Sequence, residues 1–276
     1  MRTVMSSAAL WLAFVGVATM GQSASAQAHK VVYAKDGSGV FGYKDTPIQP
    51  WSGYHVHDPD RPVPKKVEPG MPPSDQPVPP PSDAIVLFDG RGLDAWQPTE
   101  WKVENGCLVA TQGPMRTRQE FGSFQLHLEW AAPAEPPKNI WDDGNNGVFL
   151  GGTIEVQIFN SYRTKIYPDG QAAAIYAQTP PLVNACRKPG QWEVYDIVYR
   201  APKFDAQGKV VQPARITMFH NGILVHWDQE IYGGSPHAAL ASYAGMQARA
   251  PVGLGAHHCP VRFRNIWIRP LDDAKP

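Results

Sequence analysis

In the stretch TIEVQIFNSY, residues 153–162, Glu155 and Gln157 alternate with Ile154, Val156 and Ile158, and Asn160 follows three positions after Gln157. A strand with this period of two turns its aliphatic residues to one side and its carboxylate and amides to the other. The stretch FQLHLEW, residues 124–130, does the same, with Leu126, Leu128 and Trp130 opposed to Gln125, His127 and Glu129. If the two strands are neighbours, their polar sides form one patch able to hydrogen-bond sugar hydroxyls. Glu155, or His127 oriented by Glu129, could act there as a general base. Gln157, Asn160, Asn146 or His257 could hold a developing oxyanion. Neutral amides do this without the like-charge repulsion that a second carboxylate would impose on the acid. Asp169, Gln171 and Tyr176 would border the patch from a loop, unless Asp169-Gly170 is simply a turn. His127, Glu129 and a loop histidine could also hold a divalent metal, since imidazole and carboxylate suit several.

The elements that must carry these residues are strands. Short alternating or β-branched runs (AIVLF, CLVAT, FQLHLEWA, NGVFL, TIEVQIF, EVYDIVY, RITMFH, ILVHW and VRFRNIWI) are separated by turn residues, and helix-period segments are scarce. Asn221-Gly222 supplies the two positive φ values of a tight type I′ hairpin, so residues 215–220 and 223–228 should pair directly. In VRFRNIWIRPL the apolar phase shifts from Val261 and Phe263 to Ile266 and Ile268, which predicts a bulge near Asn265. Residues 236–248, PHAALASYAGMQA, read as a short helix. The whole predicts an all-β domain over residues 82–271, closed as a two-sheet antiparallel sandwich of the jelly-roll kind. His220 and His226 read as ordinary strand residues. Arg262 and Arg264 should pair locally or reach the site.

Before this domain, ten prolines between Pro59 and Pro81 form a strap that favours extended polyproline II. Residues 27–81 are thus an N-terminal extension and strap, and its aromatics favour docking on the domain over free disorder. Residues 1–26 have the layout of a cleavable secretory signal, which places the mature protein in the periplasm or outside the cell and leaves it unanchored in a membrane. Residues 272–276 form a tail. Twenty-five basic residues balance twenty-five acidic ones, and no basic block is interleaved with aromatics, which argues against nucleic acid as a partner. Cys107, Cys186 and Cys259 fit one disulfide plus a free thiol, or three buried thiols.

The segments IVLFDGRGLDAWQ, FGSFQLHLEW, NNGVFLGGTIEVQIFNSY, YPDGQAAAIYAQTPPLVNACRKPGQWEVYDIVY, FHNGILV and PVRFRNIWIRPL, in this order, resemble the 3-keto-disaccharide hydrolase domain family. GYKDTP, YHVHDPDRP and the proline strap resemble N-terminal extensions on one branch of it. The resemblance implies a concanavalin-like sandwich and activity on glycosides oxidised at C3. Glu155 and Gln157 match the family's Glu-x-Gln, but Asn160 stands where the family has an aspartate. In LGAHH, His257 matches the histidine of the family's Leu-Gln-Asp-His-Gly, whereas Gly255, Ala256 and His258 depart from it.

An ordinary glycosidase needs two carboxyl groups flanking the bond, and the sandwich glucanases place theirs as Glu-x-Asp-x-x-Glu. Here that spacing reads Glu155-x-Gln157-x-x-Asn160. A ketone at C3 acidifies the C2 hydrogen, so one base and an enolate stabiliser suffice for elimination followed by hydration. The expectation is an exported enzyme cleaving 3-keto-glycosides. A lectin-like module using the same patch without turnover, or a structural domain whose strap mediates assembly, are the alternatives.

Overall fold

The computed structural model describes residues 29–74 and 76–271. The signal segment expected over residues 1–26 and the tail expected over residues 272–276 therefore lie outside the described residues. In the N-terminal extension, β1 (Val31–Tyr33) and β2 (Phe41–Tyr43) form a hairpin, and β3 (Lys65–Lys66) follows. The domain then runs through β4 (Ile85–Phe88), β5 (Lys102–Glu104), β6 (Cys107–Val109), β7 (Met115–Phe121), β8 (Phe124–Ala131), β9 (Asn146–Leu150) and β10 (Ile154–Ile158). It continues with β11 (Val183–Asn184), β12 (Glu193–Arg200), β13 (Lys203–Phe204), β14 (Val210–Gln212), β15 (Arg215–His220), β16 (Ile223–Glu230), β17 (Ala250–Ala256) and β18 (Arg262–Pro270).

Two antiparallel sheets carry the structure, as the alternating pattern predicts. The larger has the order β16-β15-β12-β8-β18-β6-β5, with β4 also paired to β18; the smaller has the order β10-β9-β17-β7. Their inner faces meet through Leu126, Leu128 and Trp130 of β8, Tyr195 and Ile197 of β12, and Phe263 and Ile268 of β18 on one side. Val148, Leu150, Ile154, Val156, Ile158, Val252 and Leu254 come from the other, and all are essentially sealed from water. Each aliphatic side chain so buried stabilises the sandwich by about 1.5–3 kcal/mol relative to leaving it exposed.

The local turns follow their residue types. Asn221 and Gly222 have φ of 54° and 78°, and His220 pairs with Ile223 across the predicted hairpin. The pairing of β18 with β8 shifts register between Arg264 and Trp267, and Asn265 sits in the bulge with φ of 50°. The helix expected over residues 236–248 does not form. Gly234 bridges to Ser242, and the Tyr243 hydroxyl accepts from the Ala214 amide and donates to the Ile231 carbonyl. These tertiary bonds override the weak helical preference of the alanines. All three cysteines are free thiols, Cys186 and Cys259 buried and Cys107 half-buried, so the disulfide alternative is not realised.

The N-terminal extension docks on the domain. The Phe41 amide donates to the Lys165 carbonyl (3.1 Å), Gln49 Nε2 donates to the Ala177 carbonyl (2.7 Å), and Arg61 donates to the Gln178 carbonyl (2.9 Å). The Trp51 ring stacks on Tyr232 with centroids 4.2 Å apart. The proline strap instead crosses the outer face of the large sheet, where Arg264 donates to the Ser74 carbonyl and Asn265 to the Val78 carbonyl.

Candidate active site

The outer face of the small sheet carries Glu155 and Gln157 from β10, Gly147 and Phe149 from β9, and Gly253 and Gly255 from β17. Register aligns Glu155 with Phe149 and Gly253, and Gln157 with Gly147 and Gly255. The two glycines beside Gln157 keep the floor open. A Cβ on Gly147 would stand 2.3 Å from Glu155 Oε1, and one on Gly255 would stand 2.6 Å from the Phe149 ring. Residues 173–176 run along the free edge of β10, with the Tyr176 amide donating to the Glu155 carbonyl (2.9 Å), and so bring the Tyr176 ring to the rim.

Over this floor lies a cavity of about 610 Å³. Tyr43 from the docked extension and Trp141 stack at 6.0 Å on one wall, and Tyr167, Tyr176 and His237 form another. Asn145, Asn146 and His257 close the end nearest Gly255, where His257 Nδ1 lies 3.3 Å from Asp142 Oδ1. Among the described residues the Glu155 carboxylate has no hydrogen-bond or ion-pair partner. Enclosure by protein without a compensating charge pushes its pKa up to about 8.

Three groups around the acid are poised to bind something else. Among the described residues Gln157 Oε1 and Asn146 Nδ2 are buried without a hydrogen-bond partner, an arrangement that costs free energy until a ligand supplies one. The Tyr176 hydroxyl sits 3.1 Å from the Tyr167 hydroxyl and 2.8 Å from His237 Nδ1. Burial, opposed by the bond to Tyr167 and reinforced by the nearby Glu155, raises the Tyr176 pKa and keeps it a proton donor. Burial first, and then His57, His29 and His257, lower His237 to about 4, so it is neutral at physiological pH.

The expected residues divide sharply. Glu155, Gln157, Asn146, Tyr176 and His257 come together in the cavity. Gln125, His127 and Glu129 do not, because β8 belongs to the large sheet and its polar side faces the strap, beyond a core about 10 Å thick. There His127 Nδ1 lies 2.6 Å from Asp196, Arg264 donates to Glu129 at 2.7 Å, Asn265 donates to Glu129 at 3.0 Å, and Arg269 donates to Gln125 at 2.8 Å. Burial alone would lower the His127 pKa, but Asp196 and Glu129 outweigh it and push it up to about 9. The metal set of His127, Glu129 and a loop histidine is therefore not assembled, since His237 and His257 line the other sheet's cavity. Arg264 pairs locally.

Three further corrections concern loop residues. Asp169 is fully buried and accepts from the His57 amide (3.0 Å), His57 Nδ1 (3.2 Å) and Gln49 (3.3 Å), so it anchors the extension and does not face the cavity. Burial works against its ionised form, but His57 and Arg61 outweigh that and hold its pKa low. Gln171 is buried beneath the same loop, its amide 3.5 Å from the Ile166 carbonyl. Asn160 donates to Asp143 Oδ1 at 3.0 Å, within a network that includes Arg163 and Thr164. Cys186, Glu193 and His220 bring their ligand atoms within 4.8 Å of one another, but Glu193 already accepts from the Arg187 amide, Asn221 and His220, which makes this an internal polar network.

Removing Glu129 tests this separation. Glu129→Ala removes the buried carboxylate that pairs with Arg264 and accepts from Asn265, and is expected to lower stability by about 1–3 kcal/mol. Ligand binding in the cavity, read by protein NMR, should be unchanged; a loss of binding in a folded variant would return Glu129 to the candidate site.

Residues 83–269 match the 3-keto-alpha-glucoside-1,2-lyase-like domain. The chain belongs to this family. A crystal structure of a candidate glycosyl hydrolase from Parabacteroides distasonis is 38% identical, with a TM-score of 0.69 over 76% of this chain and 93% of that one. Two further candidate glycosyl hydrolases from the same organism share the fold at lower identity. One is 22% identical, with a TM-score of 0.50 over 68% of this chain and 99% of its own. The other is 17% identical, with a TM-score of 0.52 over 69% and 94%. No curated protein matches the chain. The lyase-like domain is thus a carbohydrate-active sandwich, and its cavity lies wholly within the family's span except for Tyr43, which the docked extension contributes.

His237, Tyr43, Trp141, Tyr167 and Phe149 are the site residues that sequence reasoning missed. The quoted GYKDTP segment contained Tyr43, and the YPDGQ segment began at Tyr167; aromatic residues beside sugar-binding polar groups were the available signal.

Proposed function

We propose that this lyase-like domain cleaves 3-keto-glycosides by elimination and hydration, with Glu155 as the base. The observation that carries the reading is an unpaired carboxylate at the floor of an aromatic-walled cavity, where among the described lining residues no second acid stands for double displacement. Glu155 takes the C2 proton, and the electron pair delocalises onto the C3 oxygen as an enolate. The C1–O bond to the leaving group then breaks, forming the C1–C2 double bond and regenerating the ketone. Water adds across that double bond, its oxygen to C1 and a proton to C2, and returns a free 3-keto sugar.

The surrounding groups fit this sequence. Asn146 Nδ2 is an unpartnered donor for the developing C3 oxyanion, and oriented donors of this kind contribute about 3 kcal/mol each. The Tyr176 hydroxyl, kept protonated, can supply the leaving oxygen with its proton. Gln157 Oε1 accepts from a sugar hydroxyl. Export through the N-terminal signal belongs to the same proposal and would expose the site to extracellular or periplasmic glycosides.

The test compares a 3-keto-glucoside with the same glucoside lacking the ketone. Release is expected from the keto compound alone, because only it has an acidic C2 hydrogen. Since the ionised form of Glu155 is the base, kcat/KM should rise with pH and level off above about 8. Binding of the keto compound with no release at any pH would favour the lectin-like alternative, and equal release from both compounds would reject the elimination.

A further inference from the structure

A second groove of about 490 Å³ adjoins the cavity and shares Phe149 and Ser235 with it. Its walls are mostly apolar, including Pro236, Leu240 and Pro251, and among the described residues Arg116 is the one charged residue lining it. Register places Glu155, Phe149, Gly253 and Arg116 in a single row across β10, β9, β17 and β7. All four lie on the outer face, since Met115, Val148, Val252 and Leu254 beside them are in the core. Three interstrand steps separate Glu155 from Arg116, roughly 14 Å at the usual strand spacing, which is the reach of a sugar ring plus an aryl group. Gly253 leaves the floor open between the Phe149 ring and the guanidinium. Arg116 is exposed and among the described residues has no ion-pair partner.

We infer that this groove receives the leaving group of the substrate, and that Arg116 selects leaving groups that are aromatic or otherwise apolar and carry an anionic substituent at the far end. The inference rests on the proposed 3-keto-glycoside chemistry for the direction in which the substrate lies. The polar cavity takes the oxidised ring beside Glu155, the Phe149 face takes the apolar body, and the unpaired guanidinium meets a carboxylate or similar anion by charge-assisted hydrogen bonding.

The experiment uses the 3-keto-glucosides of 3-hydroxybenzoate and of 3-hydroxybenzamide, which differ in charge and little in shape. Wild type is expected to favour the carboxylate by about fivefold or more in kcat/KM, the scale of a partly exposed ion pair. Arg116→Gln should remove that preference and Arg116→Glu should invert it. A parallel titration of free 3-hydroxybenzoate, followed by protein NMR, reads the groove without turnover. If neither glycoside is cleaved but the free acid binds in an Arg116-dependent way, the groove assignment stands and the lyase reading falls. If both are cleaved with one rate ratio in wild type and Arg116→Gln, the groove assignment is overturned and the lyase reading survives. The groove assignment is equally overturned if neither glycoside is cleaved and the free acid does not bind.

Discussion

Glu155→Gln is expected to slow release from a 3-keto-glucoside by about a hundredfold to ten-thousandfold, the contribution of a positioned general base. Substrate binding should survive, because the amide fills the same space and can still hydrogen-bond a hydroxyl. The same substitution has a second, independent signature in stability. Folding raises the Glu155 pKa from 4.5 to about 8, so the folded state binds this proton more tightly than the unfolded chain does. The resulting stabilisation is full below pH 4.5 and is lost as the pH rises through about 8. Glutamine is neutral throughout and loses nothing. Above pH 8 the variant should therefore melt at a higher temperature than wild type, and the two should converge near pH 4.5. A wild type that melts above the variant at pH 9 would show that the carboxylate has a partner in the folded state, contrary to this account.

Gly147→Ala should disable the site from a neighbouring strand without unfolding it. The new Cβ would stand 2.3 Å from Glu155 Oε1 and 2.8 Å from its Cγ, so the carboxylate must swing away. The far end of a flexible side chain yields more easily than backbone, and the helix-free sandwich core on the other side of β9 is untouched. Displacing a catalytic group by about 1 Å costs on the order of a hundredfold in rate. The measurement pairs kcat above pH 8, where wild-type Glu155 is ionised, with the melting temperature of the same preparation. A loss of activity that merely tracks a loss of folded protein would contradict the steric argument.

Strand phase was legible in the sequence, and sheet membership was not. The alternation in β8 and β10 correctly separates Leu126, Leu128 and Trp130, and Ile154, Val156 and Ile158, from their polar neighbours. A period of two states which side meets the core but not which of two sheets the strand joins. The polar sides of β8 and β10 therefore face opposite exteriors of the same sandwich. One is covered by the strap and saturated by Arg264, Asn265 and Asp196; the other opens into the cavity. The bulge at Asn265 was readable because it leaves a phase shift in the apolar residues.

Other parts of the site left weaker traces. Gly147 and Gly255 act by the side chains they lack, which composition cannot register. His237 lies in an alanine-rich segment whose local preference is helical, and tertiary bonds, among them the bridge of Gly234 to Ser242 and the Ser235 amide donating to the Thr153 carbonyl, hold it beside Tyr176 instead. Asp169 and His57 stand far apart in the chain, so their buried pairing, which brings the extension and Tyr43 to the cavity, has no local signature.

The most direct measurement follows a 3-keto-glucoside carrying deuterium at C2. Proton abstraction by Glu155 predicts slower release than from the unlabelled compound, with deuterium lost from the product to water. Release at an unchanged rate into a product that keeps all of its C2 deuterium would mean that the glycosidic bond breaks without Glu155 ever touching that position.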